Sequence, residues 1–393
     1  MRIDAVELNV VALPLVAPFV AAHGTVVERT LVLVRVLGPD AEGWGECAAL
    51  PAPTYTSEFT DGALLALRDH LVPALLAEAA VDSEGLPAAD VGRALRGVVG
   101  HPMAKAALEL AVLDAEGRRS GQSLTRMLLP ARQGATVATV PGGVALGLHP
   151  DPDALAAQVA ARVAEGYRRV KVKIAPGRDV DFARAARDAA GPEVVLVLDA
   201  NAAYRFDADP GAPDDARVLS ALDDVGAACL EQPLPADALL DHAELARRVR
   251  TPICLDESLT SIAMTRQALD MGACSVVCVK APRYGSWLTA VDVLDHCHGN
   301  GVPAWIGGML DGGVGRTANL ALAAHPGATL PGDISATSRF FTDDVTSFVA
   351  PTGGGPPIRF AVPDGPGTGA TVDPGSLARL TRRVETIRAT APT

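Results

Sequence analysis

Five ionisable residues punctuate the middle of this chain, each at the end of an apolar, strand-like run. Lys173 closes "RRVKVK", Asp199 closes "VVLVLD", Glu231 closes "ACLE", Asp256 closes "TPICLD" and Lys280 closes "CSVVCVK". The steps between them (173 to 199, 199 to 231, 231 to 256, 256 to 280) each fit one strand–helix unit, and the longest holds a turn-rich insertion, "DADPGAPDDA". Three of the five are carboxylates. Gathered in one place they could not all stay ionised without a cation, and an all-oxygen ligand set suits Mg²⁺ with positions left for water or substrate. Alternation along "RRVKVKI" puts Val170, Val172 and Ile174 on one face and Lys171 and Lys173 on the other. Two ammonium groups are costly inside a packed interior unless negative charge is near, and the acids supply it. Repulsion from Lys171 is expected to lower the pKa of Lys173 and favour a neutral amine able to take a proton. Lys280, from across the same mouth, would address the other face of a substrate's α-carbon. The chemistry implied is removal of the proton α to a carboxylate, with Mg²⁺ stabilising the enediolate.

Taken singly, each residue has a plainer explanation. An Asp at a strand end is commonly a helix cap, a Glu before Pro is turn punctuation, and a strand lysine snorkels to solvent. Five such residues at matching places in successive units favour the functional reading.

The elements that must position them form a regular beat. Eight candidate strands ("VPGGVALG", "RRVKVKI", "VVLVLDAN", "ACLEQP", "TPICLDES", "CSVVCVKAP", "VPAWIGG", "ATLPGDISA") alternate with Ala/Leu-rich helical segments over residues 131–340. This predicts a modified (β/α)8, TIM-type barrel with its chemistry at the C-terminal ends of the strands, all five residues at one level. An open doubly wound sheet is the runner-up, but no GxGxxG follows the first strand. Residues 1–130 read as an α+β capping domain, with strands in "RTLVLVRVLG" and "GWGECAAL" and helices in "GALLALRDHLVPALLAEAA" and "PMAKAALELAVLDAEGRRSG". Residues 341–393 are Gly/Pro-rich with a short final helix and are expected to return to the capping domain.

A chain of 393 residues, 49% hydrophobic and 20% charged, describes a globular protein with a large core. The formal charge of −12 argues against nucleic acid as a partner. No long apolar run predicts a membrane span, and the N-terminus carries Asp4 and Glu7 where a secretory signal would be unbroken, so a cytoplasmic location is expected. The six cysteines form no CxxC pair and read as buried, reduced thiols. Symmetric homo-oligomers are common among such enzymes, and one is expected here.

"KVK", "DAN", "EQP", "DES" and "VK" at these spacings resemble the enolase superfamily, muconate-lactonizing subgroup. "GWGECAALPAPTYTSEFT", "GGMLDGGVGR" and "GDISA" are most similar to o-succinylbenzoate synthases and N-acylamino-acid racemases. The resemblance implies Mg²⁺ ligation by Asp199, Glu231 and Asp256. It implies Lys173 and Lys280 as the acid/base pair, with Lys171 tuning Lys173. Asn201 and Glu257 would orient the ligands, Arg283 matches an arginine of the racemases, and Gly308, Met309 and Asp311 would lie where substrate is selected. A mobile capping loop is implied at about Pro18 to Thr30, with His23 in it. Departures are Cys278 where many relatives carry Asn, "APRYGSW" without the usual paired glycines, and Asp311–Gly312 in place of Glu then Ser or Thr. Cys278 is expected to be core packing and Asp311 a helix cap. His296 and His298 are expected to face solvent, and no His closes the seventh strand as in mandelate racemase. The implied reaction on a small carboxylate substrate is dehydration to o-succinylbenzoate or N-acylamino-acid racemisation; dipeptide epimerisation or muconate-type cycloisomerisation would use the same half-reaction. A Schiff-base lysine aldolase or a non-catalytic barrel are alternatives of other classes.

Overall fold

Runs rich in β-branched and aliphatic residues build the first layer. The computed structural model describes residues 1–21, 24–81, 85–129, 137–205, 215–353 and 355–389. Strands β1 (Ala5–Ala21), β2 (Gly24–Leu37) and β3 (Glu42–Cys47) form an antiparallel meander. Helix α1 (Pro102–Ser120) packs across β3, starting at Pro102 and stopping at Gly121, whose φ of 71° suits a C-terminal glycine. "GWGEC" explains how closely they pack. A Cβ on Gly45 would lie 1.9 Å from the Ala107 carbonyl oxygen, and one on Gly43 would lie 2.2 Å from that of Ala111.

The segment expected as a loop at Pro18 to Thr30 is instead the end of the β1–β2 hairpin, with Phe19 opposite Val26 and Val20 opposite Thr25. Val20, Thr25 and Val26 favour extended backbone. His23 lies outside the described residues, as does most of "DADPGAPDDA".

Seven parallel strands then follow in sequence order: β4 (Val144–Leu146), β5 (Arg169–Lys173), β6 (Val195–Asp199), β7 (Cys229–Glu231), β8 (Ile253–Leu255), β9 (Val276–Val279) and β10 (Ala304–Ile306). The eighth expected strand, "ATLPGDISA", forms no ladder. The Leu330 and Asp333 N–H groups donate to the Ala304 and Ile306 carbonyls at 3.1 and 2.8 Å, and the Ile334 carbonyl accepts from Gly143 beside β4 at 3.0 Å. The segment therefore bridges the two edges of the sheet without regular pairing. Pro331 has no N–H to give, which interrupts the ladder at its centre.

The short helix Pro374–Leu380 is present, and after it comes an unanticipated strand, β11 (Thr381–Arg388), antiparallel to β1. The capping sheet thus runs β11-β1-β2-β3. Most β11 side chains are exposed or half-buried, so "TRRVETIR" carries no apolar face for a sequence reading to detect.

Two buried acids tie the cap to the barrel. Glu109 of α1 accepts from the Ser286 hydroxyl at 2.8 Å and from the Trp287 N–H at the start of α2 (Trp287–Gly299). Glu46 of β3 accepts from the Gly312 and Gly315 N–H groups, at 2.8 and 2.9 Å, at the start of α3 (Gly313–Ala323). Each satisfies helix N–H groups that have no partner within their own helix. All six cysteines are buried free thiols. Among the described residues, no helix is long and apolar enough to cross a membrane.

Candidate active site

Strand register decides which residues meet. Lys173 of β5 pairs with Asp199 of β6, and Asp199 pairs with Glu231 of β7, so these three do share one level. The expectation of one level then fails. Glu231 pairs with Cys254, which places Asp256 two residues further along, and Lys280 follows β9 beyond that. A curled parallel sheet staggers its strands, so the residues climb around the wall in steps of two. All five side chains point inward and are buried, the lysines at 8% and 5% exposure and the acids at 0–1%.

The contacts divide the site into two halves. On one side Asp199 Oδ2 lies 2.6 Å from Lys173 Nζ and 3.0 Å from Lys171 Nζ. Lys171 also reaches Glu231 Oε1 at 3.0 Å and Asp333 Oδ2 at 2.7 Å. Burial alone would discharge Lys171, but Asp333, Glu231 and Asp199 together hold its pKa well above the ordinary lysine range. Lys171 and Lys173 therefore share a carboxylate rather than facing each other bare. On the other side Asp256 Oδ2 accepts from Lys280 Nζ at 2.7 Å and from the Tyr55 hydroxyl at 3.0 Å, while Oδ1 lies 2.9 Å from Arg283 Nη2. Burial works against the Asp256 charge, and Arg283 and Lys280 overcome it.

Of the two residues expected to orient the ligands, Asn201 does reach one, its N–H donating to Asp199 Oδ1 at 3.0 Å, while its Nδ2 donates to Glu257 Oε1 at 2.9 Å. Arg283 sits behind Asp256 and donates to the Tyr55 hydroxyl. Gly308 and Met309 line the cavity above the lysines with Phe19, Leu50, Tyr55 and Phe340. Asp311 is not the expected helix cap: α3 is preceded by Gly312, and Asp311 Oδ2 accepts from the Met309 N–H and Asn319 Nδ2, both at 3.1 Å, bracing the loop from behind. Cys278 packs in the barrel interior with Val197, Cys229, Cys254, Val276 and Trp305, the packing expected of it. His298 is exposed and His296 half-buried.

Three contributors escaped the sequence reading. Tyr55 arrives from the cap, 201 residues from Asp256. Asp333, inside the quoted "GDISA", pairs with both Lys171 and Arg169. Gln232 of "EQP" accepts from the Asp256 and Ser258 N–H groups at 3.0 and 3.2 Å and so fixes the turn that carries Asp256. Only the last had a local signal, a glutamine wedged between a strand-end acid and a proline.

The donor set fits a divalent cation. Asp199 and Glu231 end adjacent strands and Asp256 follows the next one. Among the described residues Glu231 and Asp256 bring ligand atoms within 4.8 Å of each other and of Cys278, a group that does not include Asp199. Glu231 Oε2 is buried without a hydrogen-bond partner. Burial, then Asp199, push the Glu231 pKa up to about 8 against the pull of Lys171. That strain between neighbouring acids is what an added cation relieves.

Comparison with known proteins places this geometry. Residues 5–128 match the mandelate racemase / muconate lactonizing enzyme N-terminal domain, and residues 154–376 match the enolase C-terminal domain-like family. The chain belongs to the enolase superfamily. This superfamily enzyme is 44% identical to an N-succinylamino acid racemase of an Amycolatopsis species, over 97% of this chain and 98% of the relative. It is 38% identical to an o-succinylbenzoate synthase of Geobacillus stearothermophilus, over 100% and 99%. An enolase-superfamily crystal structure from Listeria innocua superposes with a TM-score of 0.89 at 34% identity, covering 99% of this chain and 100% of that one.

Proposed function

We propose that this enzyme removes the proton α to the carboxylate of an N-acylamino acid and returns a proton to either face, racemising it. The observation that carries the reading is the pair of buried lysines on β5 and after β9, each held by its own carboxylate beside one cavity. One lysine amine takes the α-proton, the C–H electron pair delocalises into the carboxylate, and the other lysine delivers a proton from the opposite side. Asp199, Glu231 and Asp256 would hold a divalent cation, Mg²⁺ in our reading. Bound there, it supplies electrostatic stabilisation of the charge developing on the substrate carboxylate. Ligation would draw Asp199 and Asp256 away from Lys173 and Lys280 and leave both amines facing the cavity. Phe19, Leu50, Met309 and Phe340 offer an apolar wall for a side chain or acyl group and help exclude water.

Dehydration to o-succinylbenzoate is the second reading, supported by the full-length likeness to a synthase. It needs one lysine as base and a leaving hydroxyl on the next carbon. Proton NMR in D₂O with both enantiomers of N-succinylamino acids, and with the o-succinylbenzoate precursor, separates the two. Lys173→Ala and Lys280→Ala should each abolish α-proton exchange from opposite enantiomers. Loss of exchange from the same enantiomer in both variants would sink the two-face arrangement.

A further inference from the structure

We infer that Cys278 is a further donor to the carboxylate cluster and gives this centre affinity for thiophilic divalent cations. The inference deepens the proposed function, since it rests on Glu231 and Asp256 holding a cation. Register supplies the first support. Val276 and Val277 of β9 pair with Cys254 and Leu255 of β8, which carries Cys278 to the level of Asp256. Cys278 also pairs with inward-facing Trp305, so its thiol enters the barrel rather than the helix layer. Its sulfur lies so close to Gly307 that a Cβ there would stand 2.7 Å away.

Distance supplies the second. One oxygen of Glu231, one of Asp256 and the Cys278 sulfur all lie within 4.8 Å of one another. An ion bound at about 2.3 Å to sulfur and about 2.1 Å to oxygen needs sulfur–oxygen separations below about 4.4 Å, so ligation would draw the three donors inward from that bound. Glu231, at 0% exposure, keeps Oε2 without a hydrogen-bond partner, as Asp256 does Oδ1, so two of the three cluster members carry a buried acceptor oxygen without a hydrogen bond. The thiol is the odd member of the group. Mg²⁺ gains little from sulfur, so with Mg²⁺ the thiol stays protonated and uninvolved. Co²⁺, Zn²⁺ or Cd²⁺ forms the sulfur–metal bond as the thiol proton leaves to solvent, adding sulfur to an oxygen ligand set.

The test is a Co²⁺ titration of metal-stripped protein followed by absorbance. Visible d–d bands report Co²⁺ in the site, and a near-ultraviolet thiolate-to-cobalt band reports the sulfur. Wild type should show both. Cys278→Ala should keep the d–d bands, lose the charge-transfer band, and show a Cd²⁺-to-Mg²⁺ affinity ratio lowered by about tenfold or more. Cys254→Ala, at the neighbouring barrel thiol, should retain both bands. Co²⁺ bound by wild type with no charge-transfer band, or with one that survives in Cys278→Ala, would overturn the role of Cys278 and leave the carboxylate site standing. Absence of Co²⁺ binding altogether would overturn both.

Discussion

At the scale of the residue, charge is balanced by pairing rather than by exposure. Lys171 answers Asp199, Glu231 and Asp333, and Arg169 shares Asp333 while stacking 5.0 Å over Trp305. Removing one member of such a group strands its partners in low dielectric. Asp333→Asn should therefore disturb Lys171 more than the fold. We expect kcat for α-proton exchange to fall by about 10- to 100-fold while the circular-dichroism spectrum is retained, and unchanged kcat would remove Asp333 from the site. Asp256→Asn leaves Lys280 and Arg283 facing a neutral amide. Calorimetry should show Mg²⁺ affinity lowered by well over tenfold, and wild-type affinity would exclude Asp256 as a ligand. The five strand-end residues were legible because each breaks an apolar run, a contrast visible within ten residues of chain. Tyr55 and Asp333 were not, because their meaning depends on partners 201 and 162 residues away. No local pattern encodes such a contact.

The elements show why spacing alone predicted the site better than its level. Strand–helix beats put every residue at a strand end, but only the register reveals the stagger between β7 and β9. The missing eighth strand follows the same logic: "ATLPGDISA" has a strand's hydropathy, and one proline removes its ladder. The pattern for β11 failed in the opposite sense, since an edge strand bearing Arg382, Arg383 and Glu385 has no apolar face to announce it. Just past β10 the packing around Lys280 is equally tight. A Cβ at position 307 would lie 2.5 Å from Lys280 Cε, so Gly307→Ala must displace the lysine stem. Overpacking of this kind costs about 1–3 kcal/mol. Exchange by the Lys280 half-reaction should be lost before the Lys173 half-reaction, and equal loss of both would contradict the placement.

Across the whole molecule, cap and barrel are joined by buried acids whose protonation is tied to folding. Burial pushes the carboxyl groups of Glu46 and Glu109 up to about 7, from 4.5 in an exposed chain. Between those values the folded protein holds more protons than the unfolded one, so these groups make stability fall as pH rises from about 4.5 to about 7. Thermal unfolding across that window should flatten in Glu46→Gln/Glu109→Gln, and an unchanged slope would assign the pH dependence elsewhere. Chelating divalent metal should lower Tm, because an ion bound only by the folded state stabilises it by mass action; an unchanged Tm would argue that no ion resides in the barrel. The pairing of Ala5 with Arg388 brings β1 and β11 side by side, although almost the entire polypeptide separates them. Pulling the two ends of that pairing apart would strip β1 of one of its two neighbours, so the cap's sheet is closed by a contact between distant parts of the chain.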